Sequence, residues 1–320
     1  MLNYLVILLD DTSTSYCHYD NTKQERKLIA LDDLKAGILF AMKENLMIQF
    51  VYPDYEIPQE YKDTIETIDH SKIVPLASQE DADIIVFNDY NELSKCELSN
   101  SSTYVLRIGK DDFFKNISGI QDILGKVKRL NIAIRDIERF TEDDFDRYKE
   151  CLSTLGSELE KCYLEGRTPQ LNLLTDRFSL SAMNNCNAGW ENITLAPDGK
   201  FYVCPAFYQS DSKTTIEDKA PSIGDLKNGL DIKNPQLYKL SYAPLCRNCD
   251  AYQCKRCVWL NRKTTLEVNT PSHEQCVTAH LERNASRDLL LNIRKHAEFL
   301  PETEIAEITY LDPFDVRKEW

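Results

Sequence analysis

The chain has 320 residues, 52 acidic against 38 basic, for a net charge of −14. A surface of that sign repels phosphate backbones, so nucleic acid is not an expected partner. The length suits one barrel-sized domain with a smaller appendage.

The first apolar run, residues 4–9, is too short to span a membrane and lacks a basic flank and a cleavage site. No membrane partner is expected, and the reading is cytoplasmic, where thiols stay reduced and clustered cysteines more often bind metal. Up to about Phe178 such runs recur at residues 47–52, 73–76, 84–87, 104–108, 130–134 and 171–174. Helical spacing between them is clearest over 32–45 and 142–164. Strand, crossover helix, strand predicts a parallel sheet with right-handed connections, hence an α/β fold built as a partial barrel or a doubly wound open sheet. In α/β barrels the chemistry sits in loops at the C-terminal ends of strands. That singles out the loop after the first run, Asp10-Asp-Thr-Ser-Thr-Ser-Tyr-Cys17-His-Tyr-Asp20. Cys151 and Cys162 share one face of the predicted helix over 142–164 and read as small buried hydrophobes, and Cys96 reads as incidental. Asp143, Asp144 and Asp146 read as charges complementing that helix's N-terminal dipole.

Seven of the eleven cysteines fall between residues 186 and 276: Cys186, Cys204, Cys246, Cys249, Cys254, Cys257 and Cys276. An odd count without a secretion signal argues against disulfides. Structural zinc needs four ligands, which Cys246, Cys249, Cys254 and Cys257 supply by themselves. Iron–sulfur clusters use all seven, four on one cluster and three on another. Both metal readings stand at this point. His273 and His280 flank Cys276, each a candidate missing ligand or a hydrogen-bond donor to one, against an ordinary packing role. A polar excursion is expected between Gln209 and Lys219, an amphipathic helix over 279–300, and an acidic surface tail from Pro301.

The order of these cysteines resembles the SPASM domain, the auxiliary-cluster module of many radical-SAM peptide-modifying enzymes. The resemblance rests on Cys186, on Gly199-Lys-Phe-Tyr-Val-Cys204 after the turn Leu195-Ala-Pro-Asp-Gly199, on Ser222-Ile-Gly-Asp-Leu226, on the compact run and on Cys276. The compact run, C-x2-C-x4-C-x2-C, is shorter than the usual form in two gaps. The resemblance implies that Cys246, Cys249, Cys254 and Cys276 hold one 4Fe–4S cluster, with Cys186, Cys204 and Cys257 on a second whose fourth ligand is missing. It also gives the first loop a meaning. A radical-SAM enzyme carries C-x3-C-x-aromatic-C there, and this chain reads Ser13, Cys17, Tyr19 and Asp20, with Cys17 alone of the three thiols. After the second run, Tyr52-Pro-Asp-Tyr-Glu-Ile-Pro58 lacks the paired glycines that let backbone approach S-adenosylmethionine. No S-adenosylmethionine is therefore expected.

The whole chain resembles the CXXX-repeat peptide maturase family, through Leu8-Leu-Asp-Asp-Thr12, Asp33-Leu-Lys-Ala-Gly37, Phe50-Val-Tyr-Pro-Asp54, Cys204-Pro-Ala-Phe-Tyr208 and Cys257-Val-Trp-Leu-Asn261. This implies a degenerate radical-SAM-like barrel over 1–180, a SPASM-like iron–sulfur domain over 181–280, and a C-terminal helix and tail over 281–320. The implied role is that of a non-catalytic iron–sulfur partner of a radical-SAM enzyme, acting on a cysteine-repeat precursor peptide. The alternatives are an enzyme using Cys17 or an open cluster site on a peptide thiol, and a zinc-stabilised peptide-binding module.

Overall fold

The computed structural model describes residues 2–76, 82–210, 222–308 and 310–313. The chain opens with β1 (Tyr4–Leu8), α1 (Leu31–Glu44), β2 (Met47–Val51), α2 (Gln59–Ile65), β3 (His70–Pro75) and β4 (Ile84–Phe87). It continues with α3 (Tyr90–Lys95), β5 (Thr103–Ile108), α4 (Lys110–Lys115), α5 (Ile117–Leu124), β6 (Arg129–Ile134), α6 (Glu142–Leu164), β7 (Gln170–Leu171) and α7 (Asp176–Ser179). After these come β8 (Asn192–Leu195), β9 (Phe201–Tyr202), α8 (Ala206–Gln209), β10 (Gly224–Asp225), β11 (Gly229–Leu230), α9 (Val258–Thr265) and α10 (His273–Arg294). This is a mixed α/β fold with a mostly parallel nine-stranded sheet, ordered β7-β6-β5-β4-β3-β2-β1-β8-β9, and a two-stranded β10-β11 pair linked to its β9 edge by a bridge between Lys200 and Asp225.

The residues cluster as two compact units, each assembled from three stretches of chain. The first is Met1–Val86, Cys186–Pro244 and Val258–Asn269. Here β1 lies between β2 and β8, parallel to both. Buried among neighbours, it reads as the unbroken apolar string expected of an interior parallel strand. The turn after β8 returns the chain antiparallel as β9 and uses Gly199 at φ 75°, a left-handed conformation that glycine adopts without strain. Gly37 lets α1 lie close on β8, since a Cβ there would stand 2.4 Å from a methyl of Leu195.

The second unit is Phe87–Asn185, Leu245–Cys257 and Thr270–Trp320. In it β6 lies parallel between β5 and β7. The long helices α6 and α10 bury Tyr148, Leu152, Leu155 and Leu159 from one and Leu289, Leu290 and Ile293 from the other. Asp144 closes a capping box with Thr141, so this acidic residue does more than face a dipole. Cys151 and Cys162 lie in the buried face of α6.

Three boundaries differ from those the sequence predicts. β3 starts at His70, before its apolar run. β7 spans two residues instead of the predicted 171–174, because the Thr175 hydroxyl bonds both the N–H (2.8 Å) and the carbonyl (3.1 Å) of Leu171 and turns the chain. Helix α10 starts at His273, capped by Ser272, so Cys276 sits inside its first turn, and it stops at Arg294, short of residue 300. Residues 211–219 of the predicted polar excursion lie outside the described residues. No described helix is long and apolar enough to cross a membrane.

Candidate metal centre

In the second unit Cys246, Cys249, Cys254 and Cys276 line one cavity of about 110 Å³. Three of them lie on an irregular run with little secondary structure of its own, so side chains from elsewhere in the unit must fix it. Arg177 donates to the carbonyl of Asp250 at 3.0 Å and stacks on Tyr252 at 4.2 Å. Arg283, fully buried on α10, reaches the Asp250 carboxylate at 2.8 Å. Gln253 donates to the carbonyl of Ala279 at 2.7 Å. Within the run, the Cys249 N–H donates to the Cys246 carbonyl at 3.1 Å and the Arg256 N–H to the Cys254 sulfur at 3.4 Å. The fourth thiol, Cys276, comes from the first turn of α10.

Burial disfavours free ionisation of these thiols. Burial pushes Cys246 up to about 11 and Cys254 up to about 12, and it raises Cys249 and Cys276 as well. Thiolates form in such a place when a cation takes the sulfur lone pairs. Arg256 lines the same cavity, 2 % exposed, and its charge partly offsets the rise at Cys246. Among the described residues, no group of three or more His, Cys, Asp or Glu side chains is placed to hold a metal ion. Four thiols around one cavity are the soft donor set that zinc and iron–sulfur clusters both take. Cys257 belongs to this unit too, whereas Cys186 and Cys204 belong to the first.

In the first unit the loop after β1 is tied down by its own polar groups. Ser13, fully buried, donates to the Val51 carbonyl at 2.8 Å and accepts from the Asp10 N–H at 3.0 Å. Its oxygen is thus committed to backbone. Tyr19 donates to Gln209 at 2.9 Å and sets its ring edge-on to Trp259, while Gln209 donates to the Ser13 carbonyl at 2.7 Å. Asp20 is exposed and Cys17 half-buried. Burial raises the Tyr16 hydroxyl well above its ordinary value, and Cys17, Tyr19, Cys204 and Cys186 add to the rise, so three thiols lie within electrostatic reach of one phenol. The loop after β2 joins the same network through the Tyr55 hydroxyl, 2.8 Å from Asp10.

Sequence reasoning overlooked Arg256, Arg283 and Gln209. A cation between cysteines, like one on a polar-rich helix after them, reads as a surface residue, and a glutamine beside a polar stretch gives no sign that it will be buried.

The mixed α/β fold with its mostly parallel sheet is of the partial-barrel kind seen in radical-SAM-like structures. Among solved structures the chain is similar to hexahistidine-tagged anSMEcpe with bound AdoMet, with a TM-score of 0.61 at 11% identity over 93% of this chain and 97% of that one. It is similar also to native anSMEcpe with bound AdoMet and Cp18Cys peptide, with a TM-score of 0.58 at 11% identity over 93% and 100%. At that identity the likeness is one of fold. No family model and no curated protein matches the chain.

Proposed function

We propose that this chain is an iron–sulfur partner protein in the maturation of a ribosomally made cysteine-repeat peptide, working beside a catalytic radical-SAM enzyme. The observation that carries the reading is the set of four buried thiols, Cys246, Cys249, Cys254 and Cys276, around one cavity. A cluster held there supplies an electron relay buried away from solvent. Support for a non-catalytic role comes from the first loop, where the Ser13 oxygen is engaged by backbone and cannot replace a thiolate on iron. Support for a peptide ligand comes from a fold neighbour that holds one. The second reading, thiol chemistry at Cys17, draws on the gathering of Cys17, Cys186 and Cys204 near Tyr16.

Anaerobic titration with a synthetic cysteine-repeat peptide and its serine counterpart tests the role. Tighter binding of the cysteine peptide is expected, and equal binding or none contradicts it. Loss of peptide modification in Cys17→Ala would favour the second reading.

A further inference from the structure

The C-terminal segment forms one wall of the thiol cavity. Residues 305–308 and 310–313 belong to no helix or strand. They run antiparallel along the face of α10 formed by positions 273, 276, 280, 283 and 287, which are spaced by three and four residues. Tyr310 and Pro313 line the cavity together with Cys246, Cys249, Cys254 and Cys276. Glu307, Ile308 and Leu311 line a second cavity, of about 430 Å³, that α6 and α10 complete through Leu152, Gly156 and Ala285. The segment therefore borders empty space on two sides.

Its anchors are polar. The Arg283 guanidinium donates to the Ala306 carbonyl at 2.5 Å, Arg287 pairs with Glu307 at 3.6 Å, and Nδ1 of His273 stands 2.5 Å from the Asp312 carboxylate. His280, whose Nε2 lies 3.3 Å from the Cys249 sulfur, bonds the Leu311 carbonyl through Nδ1. Among the described side chains of the segment only Ile305 is buried, whereas Ala306, Glu307 and Tyr310 are exposed. Exposed ion pairs are weak and screened by salt. A stretch with little apolar burial opens locally at far less cost than the fold as a whole. Helix α10 is held separately, by the apolar face it shares with α6.

We propose that residues 305–308 and 310–313 are a releasable cover, and that their detachment from α10, with the helix and the cysteine run still folded, sets how fast solutes reach Cys246, Cys249, Cys254 and Cys276. Loading and loss of a metal at these thiols then both pass through the open state. The cover acts in the same way whichever metal the thiols carry, so it stands or falls apart from the cluster reading.

The test alkylates the full chain, prepared anaerobically, with iodoacetamide and reads each cysteine by peptide mass spectrometry. Cys96, outside the cavity, is the reference in the same molecules, and metal content is measured beside it. Arg287→Glu turns the pair with Glu307 into a repulsion, and the exchange of Arg287→Glu with Glu307→Arg restores the attraction. At equal metal content, labelling of Cys254 and Cys276 relative to Cys96 should be about two- to fivefold faster in Arg287→Glu. It should be faster still when Asp312→Ala is added and close to wild type in the exchange, while the urea midpoint of Arg287→Glu stays near that of wild type. Equal relative labelling in wild type and in Arg287→Glu with Asp312→Ala overturns the proposal. So does a gain that the exchange leaves in place, or one matched by a loss of global stability.

Discussion

The Tyr148 hydroxyl donates a hydrogen bond of 2.7 Å to the carboxyl of Glu282, linking the middle of α6 to the helix that carries Cys276. Gln253, next to Cys254, reaches the same carboxyl at 3.4 Å. Burial pushes Glu282 up to about 7 from an ordinary 4.5, against the lowering effect of these two bonds. The folded state therefore holds this proton more tightly than the unfolded state. Stability is full at acid pH and falls as pH rises towards and through 7. Glu282→Gln keeps an acceptor for Tyr148 and removes the charge. Urea unfolding should show wild type losing on the order of 1–3 kcal/mol from this group between pH 5 and 8, a contribution that the variant lacks.

The C-terminal segment has the same sign of pH dependence for a different reason. Its bond to Asp312, first, and its neighbouring carboxylates raise His273 above its ordinary value, while partial burial opposes them. A raised histidine stabilises while protonated, and that contribution is lost as pH rises through the folded-state value. Protection against hydrogen exchange, corrected for the intrinsic base-catalysed rate, should be greater at pH 6 than at pH 8 in residues 306–308 and 310–313, and His273→Gln should remove most of that difference.

Ser13→Ala leaves the Asp10 N–H and the Val51 carbonyl without the hydroxyl that bonds both. A cost of about 1–3 kcal/mol follows from two buried backbone groups losing a partner, read as a lower denaturant midpoint. Iron content should not change, because this oxygen is not a ligand in the present account.

Arg283→Met removes the buried guanidinium that holds Asp250 and the Ala306 carbonyl. The expected loss is on the order of 2–3 kcal/mol, below the figure for a fully buried pair because Asp250 is partly exposed. Since Asp250 lies within the cysteine run, iron retention after dilution into chelator should fall together with stability.

Much of the fold was legible because apolar runs and crossover helices are local signals. Residues 84–87 and 142–164 stand where periodicity put them, and the likeness of fold to anSMEcpe agrees with the predicted partial barrel. The misses have local causes as well. His70, Ser71 and Lys72 pair in β3 through backbone bonds that polar side chains conceal. The apolar residues after Leu171 were read as strand because the hydroxyl that turns the chain belongs to Thr175, outside the run. For the candidate site, spacing picked out the cysteines, but the run's closure with Cys276 depends on Arg177, Arg283 and Gln253, three contacts between residues far apart in sequence. His280 was noted only as a neighbour of Cys276, and its contact with Cys249 spans 31 positions of chain.

The most direct measurement is iron, acid-labile sulfide and zinc in anaerobically prepared wild type beside Cys276→Ala. The account predicts iron with matching sulfide in wild type and the loss of one cluster, about four irons, in the variant. Zinc in place of iron, or iron unchanged in Cys276→Ala, would contradict it.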